Sequence, residues 1–155
     1  MRELDRIDRK MLVQLQKNGR ISVTELAASV GLSATPVSER LKRLEREGII
    51  TGYHAHLNPE AVGLGLLVFV EIKLSTKSAD VFEQVRREIL FVSEVLECHL
   101  VSGDFDYLVK ARIHGMAEYR RLLGNILLKL PAAAESRSYV VMEELKETTF
   151  LAVGA

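Results

Sequence analysis

Hydrophobic positions in the first fifty residues recur every three or four places, the period of an amphipathic helix. In LDRIDRKMLVQLQKNG, Leu4, Ile7, Met11, Leu12 and Leu15 fall on one side, and Asn18-Gly19 supplies a stop. Ser22 sits before VTELAASV with Glu25 three places on, the spacing of a capping box, and Gly31 ends that helix. Ser33 then precedes a third helix closed by Gly48, with Val37, Leu41 and Leu44 as its apolar stripe. Pro36 lies within the first turn, where a backbone N–H has no helical partner in any case, so it fixes the start of this helix instead of breaking it.

From residue 66 the period shifts toward two. LLVFVEIKL (66–74) reads as a strand whose even positions are wholly apolar; its other face carries Leu67 and Phe69 before Glu71 and Lys73. ADVFEQVRREIL (79–90) returns to helical spacing, and VLECHLVS (95–102) and YLVKARI (107–113) are strands joined by Gly103-Asp104-Phe105-Asp106. MAEYRRLLGNILLKL (116–130) is a helix stopped by Pro131, and SRSYVVMEEL (136–145) is the last strand. The order β-α-β-β-α-β predicts a ferredoxin-like domain with both helices on one sheet face. The fold class is therefore α+β: a helix-turn-helix domain at residues 1–50, a hinge strand and linker at 51–65, and a ferredoxin-like αβ-sandwich at 66–155. Leu67 and Phe69 on the helix-free face call for a second copy as cover.

Composition changes this picture in one respect. The chain is neutral, with 21 Lys+Arg and 21 Asp+Glu, but the first 56 residues hold ten cations and seven anions, so positive charge gathers at the helical end. A helix steps about 100° per residue, which turns Thr35, Pro36, Glu39, Lys42, Arg43 and Arg46 away from the apolar stripe, with Arg40 at its flank. A short helix, a Gly turn and a capped helix with a basic outer side form a helix-turn-helix, and double-stranded DNA is the expected partner. A plain three-helix bundle with a solvated face is the competing reading. Ser33 and Thr35 are placed to donate to phosphates, Ser38, Glu39 and Lys42 to meet base edges, and Arg40, Arg43 and Arg46 to reach phosphate or guanine.

Other chemistries find little support. The single Cys98 has no intramolecular disulfide partner, and Cys98 and His99 point to opposite faces of a strand. His54 and His56 share a face without a nearby third ligand, so no metal is expected. There is no serine elbow, P-loop or dinucleotide fingerprint, so neither an enzyme nor a cofactor is expected. No secretory or membrane-spanning run occurs, and the cytoplasm, at the nucleoid, is the expected location.

Taken together, DRIDRKML, GRISVTELAASVGLSATPVSERLKRLEREGII, GYHAHLNPEAVG, LVFVEI, ECHLVSGDFDYLVK and YVVMEE resemble the Lrp/AsnC family over essentially the whole chain, and its leucine-responsive branch most. The resemblance implies a transcriptional regulator with an N-terminal DNA-binding domain, a C-terminal domain that binds a small apolar amino acid such as leucine, and dimers assembling into octamers. GDFD alone reads as a hairpin turn. With the resemblance, Gly103, Asp104 and above all Asp106 are expected to hold the effector's charged groups, with Leu100, Met116, Tyr139, Val140 and Val141 lining an apolar pocket nearby. Two rivals remain: a DNA-bending nucleoid protein without a ligand, and an amino-acid-binding regulatory subunit of an enzyme.

Overall fold

The computed structural model describes residues 3–130 and 132–154, which form two compact units. The first contains the residues up to His56 and those from Lys146 onward. Its helices are α1 (Arg6–Lys17), α2 (Val23–Val30) and α3 (Ala34–Arg46). Met11, Leu12, Leu15, Leu26, Ala27, Val37 and Leu44 make the core, with Leu41 partly buried against it. The Ser22–Glu25 capping box forms, and Gly31 ends α2 in the left-handed region at φ 74°, a conformation glycine adopts without a Cβ penalty. Ser33 occupies the N-cap of α3, yet its hydroxyl makes no capping hydrogen bond.

Two expectations for this unit are corrected. Residues 51–58 carry no regular secondary structure and are exposed, so the hinge strand does not form. A strand needs a neighbour for its N–H and C=O groups, and no described strand lies alongside this one. The residues from Lys146 onward belong with the helices, not with the sheet: Gln16 exchanges hydrogen bonds with the Leu151 backbone (2.7 and 3.1 Å), and Val153 packs on the helical core.

The second unit, Leu57–Leu145, is the expected βαββαβ domain. Strands β1 (Leu66–Leu74), β2 (Val95–Leu100), β3 (Tyr107–Ile113) and β4 (Ala133–Val140) form an antiparallel sheet in the order β2-β3-β1-β4. Val68, Val70, Ile72 and Leu74 of β1 and Val109, Ala111 and Ile113 of β3 share one core with Val85 and Ile89 of α4 (Ala79–Ile89) and Leu122 and Ile126 of α5 (Met116–Lys129). Both helices therefore lie on one face. Pro131, expected to stop α5, lies outside the described residues; the helix ends at Lys129. β4 starts three residues earlier than expected and stops at Val140. It pairs with β1 from Leu74↔Ala133 to Val68↔Val140, and β1 itself begins at Leu66.

The helix-free face is less apolar than expected. Leu67 is only 5% exposed and Phe69 is half-buried. Arg112, directly across from Leu67 on β3, is gripped by both carboxylate oxygens of Glu144 (2.8 and 2.7 Å), and Val141 donates its N–H to the Leu67 carbonyl. The chain after β4 and the arginine's hydrocarbon stem supply cover that a second copy was expected to give.

Candidate DNA interface and effector loop

On α3, Thr35, Glu39, Lys42 and Arg46 are exposed and Pro36 and Ser38 half-buried, while Ser33 stands exposed at the N-cap. This much of the expected DNA face is presented to solvent. Arg40 and Arg43 are half-buried as well, and their guanidinium groups are already engaged by carboxylates. Arg40 Nη1 lies 2.8 Å from Asp8 Oδ1 and also contacts Asp5 Oδ2, and Arg43 Nη2 lies 2.6 Å from Asp8 Oδ2. The Asp8 side chain is 1% exposed, at the floor of this cluster. Arg43, expected on the outward side, is thus turned inward: a helical wheel fixes where Cβ points, but a long side chain bends toward a buried anion that needs a partner. Arg43 Nε is buried without a hydrogen-bond partner among the described residues.

Asp5 and Asp8 escaped the sequence reading, although a signal was present. Asp5-x-x-Asp8 has the capping-box spacing, and Asp8 lies four places from Leu4 and three from Met11, on the apolar stripe. Both halves of the box form: Asp5 Oδ1 accepts from Ile7 and Asp8, and Asp8 Oδ2 accepts from the Asp5 N–H. The Asp8 N–H, followed by Arg40, holds the Asp5 carboxyl down at about 2. Folding lowers this pKa, so its stabilisation is complete above the ordinary aspartate value of about 3.9 and is lost as pH falls toward about 2. The acid limb of the helical unit's melting-temperature profile, between about pH 4 and 2, is expected to flatten in Asp5→Asn. Circular dichroism melts that give superimposable acid limbs for the two chains would count against this.

The loop between β2 and β3 is built around Asp106. Its carboxylate is buried, with Oδ2 accepting from the Leu74 N–H (2.8 Å) and Oδ1 2.7 Å from Lys77 Nζ. Lys77 and then the Leu74 N–H hold its pKa below the usual carboxylate range. The Asp106 N–H donates to the Ile72 carbonyl, so the residue clasps the end of β1 to the start of β3. Gly103 (φ 150°) and Asp104 are exposed beside it. Asp106 was expected to be a free acceptor for an ammonium ion. It is already engaged, and only the oxygen facing the half-exposed Lys77 offers an approach.

The five apolar residues expected near this loop do not gather around it within one chain. Leu100 pairs with Tyr107 on the edge strand β2, at the loop end of the sheet. Tyr139 and Val140 lie on the opposite edge, level with Phe69 and Val68, and Val141 follows them. Two strands intervene, a span of about 14 Å at roughly 4.8 Å per strand. Met116 opens α5 just after β3, at the end of the sheet away from the loop. Leu100, Met116, Tyr139 and Val140 are all exposed. A cavity of about 420 Å³ does open between α4 and β2, lined by Phe82, Val85, Ile89, Cys98 and Tyr107, and of the five only Leu100 borders it.

Comparison with known proteins assigns both units. Residues 4–51 match a winged helix-turn-helix DNA-binding family, and residues 67–151 match the Lrp/AsnC ligand binding domain. The chain belongs to the Lrp/AsnC family. It is 57% identical over 148 residues to the leucine-responsive regulatory protein of Haemophilus influenzae, covering 96% of this chain and 89% of that one. The leucine-responsive regulatory protein of Escherichia coli K12 is 55% identical over 152 residues, covering 98% and 93%. Among solved Lrp/AsnC-like structures, a transcriptional regulator from Neisseria meningitidis in complex with L-methionine superposes with a TM-score of 0.90 at 37% identity, over 96% of each chain. An AsnC family transcriptional regulator from Agrobacterium tumefaciens gives 0.91 at 33%, over 95% of each. This Lrp/AsnC chain is a DNA-binding transcriptional regulator with a ligand-binding second unit.

Proposed function

We propose that this regulator docks double-stranded DNA against the exposed side of α3 and answers to a small apolar amino acid, leucine first and alanine or methionine next. The DNA reading is carried by the polar and basic outer side of a capped helix in a helix-turn-helix: Ser33, Thr35, Glu39, Lys42 and Arg46 face solvent. Ser33 and Thr35 meet phosphates, and Ser38, Glu39 and Lys42 reach base edges, with Arg46 on phosphate or guanine and Pro36 shaping the first turn. Arg40 and Arg43 act behind this surface, through Asp8. Lys42→Ala is therefore expected to weaken DNA binding and to make the salt slope shallower by about one, with no change in folding. Equal slopes for the two chains would remove Lys42 from the interface.

The effector reading draws on the split of the expected site. Gly103, Asp104, Asp106 and Leu100 stand at one end of the sheet, and Met116, Tyr139, Val140 and Val141 at the other. A pocket that uses both sets needs two chains, the loop of one against the far end of another. Such a site ties ligand binding to assembly, because the ligand then prefers one oligomer over another. Leu90, Phe91, Leu96, Leu100, Met142 and Leu145, all exposed, offer apolar surface for dimers and for larger rings such as octamers. The reading includes no catalysis and a cytoplasmic, nucleoid-associated place. Among the described residues no helix is long and apolar enough to cross a membrane.

The test is a DNA-shift titration at fixed salt with a panel of amino acids, paired with sedimentation. Leucine, alanine or methionine should change the affinity or the oligomer size. DNA binding indifferent to every amino acid would favour a DNA-bending nucleoid protein, and amino-acid binding without DNA binding would favour a regulatory subunit of an enzyme.

A further inference from the structure

The cations of α3 fall into two classes. Lys42 and Arg46 are exposed, whereas Arg40 and Arg43 have side chains only 27% and 18% exposed and already face carboxylates. Those carboxylates come from the N-cap and first turn of α1, 32 to 35 residues earlier in sequence. They differ in depth. Asp8 is buried and bridges both arginines, so the Arg43–Asp8 contact has the less exposed partner on each side. Asp5 is 46% exposed and, of the two arginines, contacts Arg40.

A carboxylate and a phosphate offer an arginine the same acceptor, an anionic oxygen at hydrogen-bond distance, here Asp5 Oδ2 on Arg40 Nη1. We propose that Asp5 serves as an internal phosphate substitute for Arg40, and Asp8 as the positioning residue that keeps both arginines oriented, so that the chain withholds one cation from indiscriminate DNA binding. Non-specific affinity is set by how many cations can displace counterions from the backbone, regardless of sequence. An arginine held by Asp5 does not contribute to that count. Close docking at a preferred sequence brings a phosphate near enough to replace Asp5, while Asp8 keeps the guanidinium aimed. Asp5 thereby sharpens discrimination between sites and non-sites.

This inference rests on the α3 face being the DNA surface, and the test separates the two. Asp5→Asn and Asp5→Ser each keep an N-cap acceptor for the Ile7 and Asp8 N–H groups while removing the charge, so α1 retains its cap. Full-length chains would be titrated against a duplex enriched from a random pool by the unaltered protein, and against a scrambled duplex, between about 50 and 200 mM salt. Both variants should steepen the salt slope on scrambled DNA by about one, a gain of roughly 3.5-fold in its change over that range, and should narrow the gap between the two duplexes. Arg40→Ala in the Asp5→Asn background should cancel the gain, which a merely structural effect of Asp5 would not do. Unchanged slopes in the Asp5 variants, with Lys42→Ala still weakening binding, overturn the inference and leave the DNA face standing. A gain that survives Arg40→Ala overturns it as well. If Lys42→Ala is also without effect, the DNA face falls, and the inference with it.

Discussion

Replacing Asp8 with alanine is expected to destabilise the helical unit by about 3 kcal/mol, the low end of what removing one member of a buried ion pair costs. The low end applies because the two arginines keep some contact with water, their side chains being 27% and 18% exposed, while Asp8 itself is 1% exposed. The loss has two parts. Arg43 retains a largely buried guanidinium that has lost its Asp8 partner, on top of an Nε that already lacks one among the described residues. The Asp5 N–H also loses its acceptor, which undoes one half of the capping box. Adding Arg43→Met to Asp8→Ala should restore much of the stability, since the uncompensated charge is then gone and an apolar side chain of similar reach replaces it. Urea melts followed by helical circular dichroism report both effects. A midpoint that Asp8→Ala leaves in place would mean that the arginines find water or other anions at no cost.

The second large effect is expected at Asp106. Asp106→Asn preserves a side-chain oxygen for the Leu74 N–H, 2.8 Å away, so the clasp between β1 and β3 survives. It removes the negative charge that Lys77 now neutralises and that an effector's ammonium group would need. A hydrogen bond to a charged group contributes about 1.5–3 kcal/mol, so effector affinity should fall roughly tenfold to 150-fold. DNA binding without effector should stay near normal, because the helical unit does not contain this residue. Calorimetry that finds equal heats and affinities for the two chains would assign Asp106 to the fold alone. Asp106→Ala is the less informative variant, since it also strands a buried N–H.

What the sequence made legible follows from the range of each interaction. The elements α1 to α5 and β1 to β3 are encoded in local spacing and caps, and they stand where periodicity puts them to within a few residues. β4 is displaced because Ala133, Ala134 and Glu135 carry little strand character of their own; they are extended only because Leu74 and Lys73 of β1 lie opposite. The outward side of α3 was legible for Thr35, Glu39, Lys42 and Arg46, whose exposure depends on helix phase. It was not legible for Arg40 and Arg43, whose direction depends on an anion more than thirty residues away. The loop shows the same division. Gly103 and Asp104 behave as turn residues, while the burial of Asp106 is dictated by a backbone N–H at Leu74, which no local pattern announces.

The return of the residues after Lys146 to the helical unit has a consequence for how the molecule is made. Gln16 and Leu151 are 135 positions apart, yet they exchange two hydrogen bonds, and Val153 covers part of the same core. During synthesis the three helices leave the ribosome before the sheet, and their cover leaves after it. The helical unit therefore starts folding before the sheet is made and completes its core only after it. A nascent chain stalled within the sheet carries an uncapped helical unit, with the apolar ground meant for Val153 still open to water.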